Sequence, residues 1–319
     1  MKKVFCLFLA VMLLALCGCN TAPQETTAAT TAPTETVKPG PDPKEDNVLN
    51  ILMIGNSFCY YFVEELYGIA KAAGVDMRVC NVYYSGCTLK MHYEWWKNGE
   101  ANYEFYVTDE NGRNKTAGCN LEYCLQQGNW DVISFQDGWG VLFPTAEHWA
   151  TMDARIAERK IYRDALIGRA RELFPNAEFY WHQTWAYETG YYGSLGKMET
   201  KEQQDEYTRW FKELTLRVCQ EQNLKRVPTG EAWNLVRHDP LFNDTLCYST
   251  SKNNGLGDHY HDGDLGGGQY LNACVWFETL TGQSCIGNTW RPDYELSEEK
   301  IAVLQQAAHQ AVQEMKSGT

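Results

Sequence analysis

No apolar run in the sequence reaches the ~20 residues that a membrane-crossing helix needs; the leading one, Val4 to Leu16, stops short. A basic surplus is lacking too. Lys and Arg number 28 against 41 Asp and Glu, and the formal charge of −13 argues against a nucleic-acid or anionic-membrane partner for the folded part. There are no paired Cys-x-x-Cys knuckles, so the cysteines do not spell a metal site, and their spacings do not give a disulfide framework. There is no internal repeat and no second linker.

What is present begins with an address. Lys2 and Lys3 precede the apolar run, as in a secretory signal peptide. Leu16-Cys17-Gly18-Cys19 resembles the bacterial lipobox, which implies lipidation at Cys19; Cys17 is a poor rival because Leu16 would stand where a small side chain is needed. Residues 20 to 47 are rich in Thr, Ala and Pro, have no apolar periodicity and read as an extended tether. The expected organisation is a signal peptide at 1–19, a linker at 20–47 and one domain at 48–319, held at the outer face of a bacterial membrane only by its lipid. Of the twelve cysteines, Cys6, Cys17 and Cys19 fall in the leader, which leaves an odd number in the domain. Cys59, Cys80 and Cys274 sit in apolar stretches and read as reduced core residues, while a Cys119–Cys124 bridge stays open.

The domain opens with Val48-Leu-Asn-Ile-Leu-Met-Ile54, a β-rich run ending at Gly55-Asn56-Ser57. Apolar residues at helical spacing follow over Tyr61 to Ala73, closed by Gly74. A strand is predicted over Val75 to Tyr84, a helix over Thr88 to Lys97, and a hairpin around Asp109-Glu-Asn-Gly112. Trp130 to Gln136 and Ala177 to His182 read as core strands around a long helix from Met152 to Phe174. A helix from Lys201 to Gln222, a short strand from Lys225 to Pro228, and helices over Gln269–Leu280 and Glu298–Met315 complete the chain. This alternation predicts an α/β three-layer sandwich with a mostly parallel, flavodoxin-like five-stranded sheet and a small β-hairpin insertion.

Open parallel sheets present functional groups at the carboxyl ends of their strands. Here those exits offer Ser57, Gly86, Gln136, His182 and, after the last strand, Asp258, His259 and His261. A hydroxyl, a glycine turn, an amide and an Asp-x-x-His pair are what a serine hydrolase needs: a nucleophile, oxyanion donors and an oriented imidazole base.

Gly55-Asn56-Ser57-Phe58 resembles the first block of the SGNH/GDSL hydrolase superfamily, in a variant with Asn for Asp. Ser85-Gly86-Cys87-Thr88-Leu89, Asp131-Val-Ile-Ser-Phe-Gln136, Thr184-Trp185-Ala186-Tyr187 and Tyr270 to Gly282 are similar, in order, to an SGNH-like branch of bacterial secreted proteins of unknown function. The resemblance spans Val48 to Gly282. It implies Ser57 as nucleophile, His261 as base and Asp258 as the carboxylate holding its tautomer, with the N–H groups of Ser57 and Gly86 in the oxyanion hole. The superfamily's third block brings an asparagine to that hole; this sequence has Gln136-Asp137-Gly138 there, and Gln136 is expected to deliver its amide instead. His259 is a fallback base, and Asp262 or Asp264 an alternative orienter. The substrate-facing candidates are Asn56, His182, Trp139, Trp185 and His259; among Trp139, Trp149, Trp181 and Trp185, the first and last lie close to strand exits. His92, His148, His238 and His309 read as ordinary surface or packing residues.

The expected activity is hydrolysis of acyl, above all acetyl, esters on a small molecule or polysaccharide, without a cofactor or metal. Two alternatives belong to other classes: a catalytically silent surface glycan-binding lipoprotein on the same fold, and a metal-assisted hydrolase using His259 and His261.

Overall fold

The first strand, β1 (Leu49–Ile54), is buried from Asn50 onward, which marks a strand covered on both faces. Alternate side chains part to opposite sides: Ile51 and Met53 enter one core cluster, Leu52 and Ile54 the other. The whole architecture follows from that division. The structure, a computed structural model, describes residues 47–138, 143–189, 191–193, 196–242 and 267–318.

Helix α1 (Val63–Ala72) leads to β2 (Met77–Tyr83), and α2 (Leu89–Asn98) to the hairpin β3 (Tyr103–Asp109) and β4 (Gly112–Cys119). The short α3 (Leu121–Leu125) precedes β5 (Val132–Phe135); α4 (Ala146–Ala150), α5 (Met152–Glu158) and α6 (Lys160–Leu173) precede β6 (Glu178–His182). A two-stranded ribbon, β7 (Tyr191–Gly193) with β8 (Gly196–Met198), stands apart from the main sheet. Then come α7 (Lys201–Gln222), β9 (Lys225–Val227), α8 (Thr229–Arg237), α9 (Gly268–Thr281) and α10 (Glu298–Ser317).

The main sheet has seven strands in the order β4-β3-β2-β1-β5-β6-β9. From β2 to β9 every neighbouring pair is parallel, which is the flavodoxin-like order expected from the sequence. The strand count needs correction. The hairpin is no separate insertion: β3 pairs antiparallel with β2, Phe105 opposite Val82, and widens the sheet. Its outer strand β4 is exposed along most of its length and carries Arg113 and Lys115, a polar edge that discourages further pairing.

Buried residues of α2, α3, α5, α6 and α7 form the core on one face with Leu52 and Ile54; those of α1, α8, α9 and α10 form the other with Ile51 and Met53. In α7, Thr200 and Gln203 make a capping box, and Tyr207, Trp210, Phe211, Leu214 and Val218 make its buried stripe. The continuous helix expected over Met152–Phe174 is two helices that meet at Arg159. No proline or glycine causes the break; it brings the Arg159 guanidinium to 3.6 Å from the Asp137 carboxylate. Cys59, Cys80 and Cys274 are buried free thiols, and Cys119 and Cys124 are not bridged.

Candidate active site

The chain runs from β1 to β2 on one side and later to β5 on the other, so the switch point of the sheet lies between the carboxyl ends of β1 and β5, where ligands of such sheets bind. Ser57 leaves β1 there as the first residue of a 3-10 turn, Ser57–Cys59, and is 9% exposed. Asn56 caps that turn: its Oδ1 accepts from the Phe58 N–H at 3.1 Å. Its Nδ2 donates to the Cys87 carbonyl at 3.0 Å, tying the Ser57 turn to the loop after β2. Below the turn, the Cys59 thiol is pushed up to about 12 by burial, so it is no competing nucleophile.

The exit of β5 meets this turn through backbone and side chain. The Gln136 N–H donates to the Ile54 carbonyl at 3.2 Å, and the Asn56 N–H donates to Gln136 Oε1 at 3.2 Å. Because a backbone N–H can only donate, the facing amide atom is the oxygen. Gln136 Nε2 is buried and has no hydrogen-bond partner among the described residues.

The loop after β2 is shaped by glycine. Tyr84 to Cys87 make a turn closed by a 3.1 Å bond, and Gly86 sits in it at φ +66°, where a side chain would be strained. Thr88 caps α2, accepting from the Met91 N–H, and Asp137 Oδ1 takes the Leu89 N–H at 3.2 Å. Asp137 is 2% exposed, and burial raises its carboxyl to about 6 against the pull of the Leu89 N–H and Arg159.

A model of the domain of unknown function DUF4886 matches residues 50–311. The chain belongs to the DUF4886 family. Its structure is similar to the crystal structure of a DUF4886 protein from Bacteroides uniformis, at 25% identity and a TM-score of 0.68, over 83% of this chain and 95% of that one. More distant are an acetylxylan esterase from Geobacillus stearothermophilus (16% identity, TM-score 0.40, covering 77% and 97%) and a protein described as a GDSL-like lipase from Parabacteroides merdae (12%, 0.37, covering 83% and 95%). Among curated proteins none matches the chain.

Of the residues singled out in the sequence, the DUF4886 fold brings Asn56 and Gln136 into contact, and Asn56 links Ser57 to the Gly86 loop. Asp258, His259, His261, Asp262, Asp264, Trp139 and the leader with Cys19 lie outside the described residues. His182 is fully buried, edge-on to Phe62 and Trp276, with Nε2 2.9 Å from Thr229 Oγ1. Thr229 gives its own proton to the Gln183 carbonyl, so His182 donates to it, and burial lowers the ring to about 3. Trp185 is 4% exposed and stacks on Trp233 at 4.7 Å, with Phe58 against it edge-on. Both side chains are packed among other aromatic rings and are not presented to solvent.

Two residues beneath the site carry more structure than their sequence context suggests. Asp137 stood next to Gln136 with no role assigned. His92, read as an ordinary surface or packing residue, is fully buried with Nε2 3.1 Å from the Gly55 carbonyl. Its only signal was position, one turn after Thr88 on a helix facing the sheet.

Proposed function

We propose that this DUF4886 protein is an extracellular serine ester hydrolase that removes acyl groups, above all acetyl, from glycans. One observation carries the reading: the Gln136 amide is anchored through Oε1 to the backbone of the Ser57 turn, and its buried Nε2 has no partner among the described residues. A buried donor costs free energy unless something accepts from it. An oxyanion formed beside Ser57 is such an acceptor.

In this reading Ser57 Oγ attacks the ester carbonyl while His261, held by Asp258, takes its proton. The negative oxygen receives hydrogen bonds from the N–H groups of Ser57 and Gly86 and from Gln136 Nε2. Collapse expels the alcohol, which takes the proton from His261, and water repeats the sequence on the acyl-serine. The glycan part is supported by Tyr84, 42% exposed and edge-on to Trp95 in the loop that carries Gly86, where it offers an aromatic face to a sugar ring. The leader ending at Cys19 supports lipid attachment outside the cell.

A fluorophosphonate probe followed by intact-protein mass spectrometry tests the nucleophile. One adduct mapping to Ser57, lost in Ser57→Ala together with acetate release from an acetylated oligosaccharide, is expected. A folded wild-type protein that takes no adduct would overturn the reading.

A further inference from the structure

A single peptide unit, Gly55–Asn56, is gripped from both sides. Its carbonyl lies 3.1 Å from His92 Nε2, and its N–H donates to Gln136 Oε1 at 3.2 Å. The carbonyl can only accept, so the His92 proton sits on Nε2, and Nδ1 takes the Tyr103 hydroxyl proton at 2.9 Å. The imidazole is stacked on the Tyr103 ring, with centroids 5.3 Å apart and planes at 18°. Burial lowers the His92 ring to about 4, which keeps it neutral and the order of donors fixed at neutral pH.

The hydrogen bonds therefore run in one direction, from the Tyr103 hydroxyl through His92 and the Gly55–Asn56 peptide to the Gln136 amide. Bonds in such a series polarise one another, and loading Oε1 makes the Nε2 protons of the same amide better donors. Gly55 leaves no slack in this contact: a Cβ there would meet Gln136 Oε1 at 2.7 Å.

We propose that His92 is a positioning residue, which acts through the Gly55–Asn56 peptide to fix and polarise the Gln136 amide as a donor to the oxyanion formed on Ser57. The assignment rests on the serine-esterase reading above. An ester oxygen in the ground state is a weaker acceptor than the oxyanion, so the relay acts on kcat and leaves KM nearly unchanged.

The test is p-nitrophenyl acetate turnover by the full chain, by His92→Phe, His92→Gln and Gln136→Leu, and by the double variant His92→Phe/Gln136→Leu. Gln136→Leu should lower kcat by ~10²-fold, as loss of an oxyanion donor does. His92→Phe should lower it by about tenfold, the worth of one hydrogen bond. His92→Gln should recover most of that loss, because a glutamine can donate to Gly55 and accept from Tyr103. The double variant should be no slower than Gln136→Leu alone, since the relay has lost its endpoint.

If His92→Phe does not fold, Tyr103→Phe carries the same comparison: it removes only a hydroxyl and should slow turnover with Gln136 present but not with Leu there. Losses that multiply in the double variant, with an active wild type, overturn the relay alone. A wild type that neither turns over ester nor labels at Ser57 overturns the esterase reading, and the relay with it.

Discussion

The Asp137 carboxylate accepts the backbone N–H of Leu89 at 3.2 Å, so the residue after Gln136 holds the start of the helix that follows Gly86. Its other oxygen is 3.6 Å from Arg159 Nε, in a pocket that leaves the side chain 3% exposed. Burial raises its carboxyl from the ordinary 3.8 to about 6. Between those values the folded protein keeps the proton that the unfolded chain has given up. Stability from this group is thus full below pH ~4 and is lost as pH rises through about 6, on the order of 3 kcal/mol in all. Asp137→Asn keeps an acceptor for Leu89 and removes the charge. Urea unfolding of both proteins from pH 4 to 7.5 should show the variant gaining on wild type across that window; a constant difference would mean Asp137 does not titrate there.

The two buried histidines act in the opposite sense. Burial lowers His92 to about 4 and His182 to about 3 from 6.5, so the unfolded chain takes up protons that the folded one refuses. Their contribution is present above pH 6.5 and lost as pH falls, by about 2 kcal/mol per ring between pH 7 and 5. Proton uptake on unfolding at pH 5, read from the slope of unfolding free energy against pH, should fall by about one proton in His92→Gln. An unchanged slope would place the His92 proton in the folded state.

What could be read from the sequence follows how local each cause is. Helix α7 runs from Lys201 to Gln222 as expected, because Thr200, Gln203 and Asn223 fix its ends from within the segment. The β3–β4 hairpin was legible from its turn, whereas its pairing with β2 depends on a strand outside the hairpin, on the other side of α2. Helix α8 was missed: it starts with Thr229 and Gly230, poor helix formers, and is stabilised by burying Ala232, Trp233 and Val236 against neighbouring helices. At the site, strand exits marked Ser57 and Gln136. The grip of His92 on Gly55 left no trace, since a histidine on a helix does not announce a backbone carbonyl as its partner.

The place of Trp185 separates a binding role from a structural one. Its ring is parallel to Trp233 within 3° and buried. Trp185→Ala should therefore lower stability by ~3–5 kcal/mol, the range for deleting a buried aromatic side chain. Guanidinium unfolding measures this directly. A variant of wild-type stability that had lost only glycan affinity would show the ring to be a binding surface.

Gly55 and Gly86 should fail in different ways when a methyl group is added. A Cβ on Gly55 would meet Gln136 Oε1 at 2.7 Å and Cys59 Sγ at 3.0 Å, both on buried side chains. The glutamine must move to make room, so Gly55→Ala should cost turnover ~10²-fold, as loss of an oxyanion donor would. At Gly86 no heavy atom lies within 4 Å of the added carbon, but φ is +66°. There the penalty is backbone strain of about 1 kcal/mol. Gly86→Ala keeps its N–H, so its turnover should fall less than that of Gly55→Ala. Turnover and thermal melting measured on both variants decide the matter. If Gly55→Ala retained wild-type turnover, the position of the Gln136 amide would not matter to the chemistry, and the oxyanion hole would have to be built from the backbone N–H groups of Ser57 and Gly86 alone.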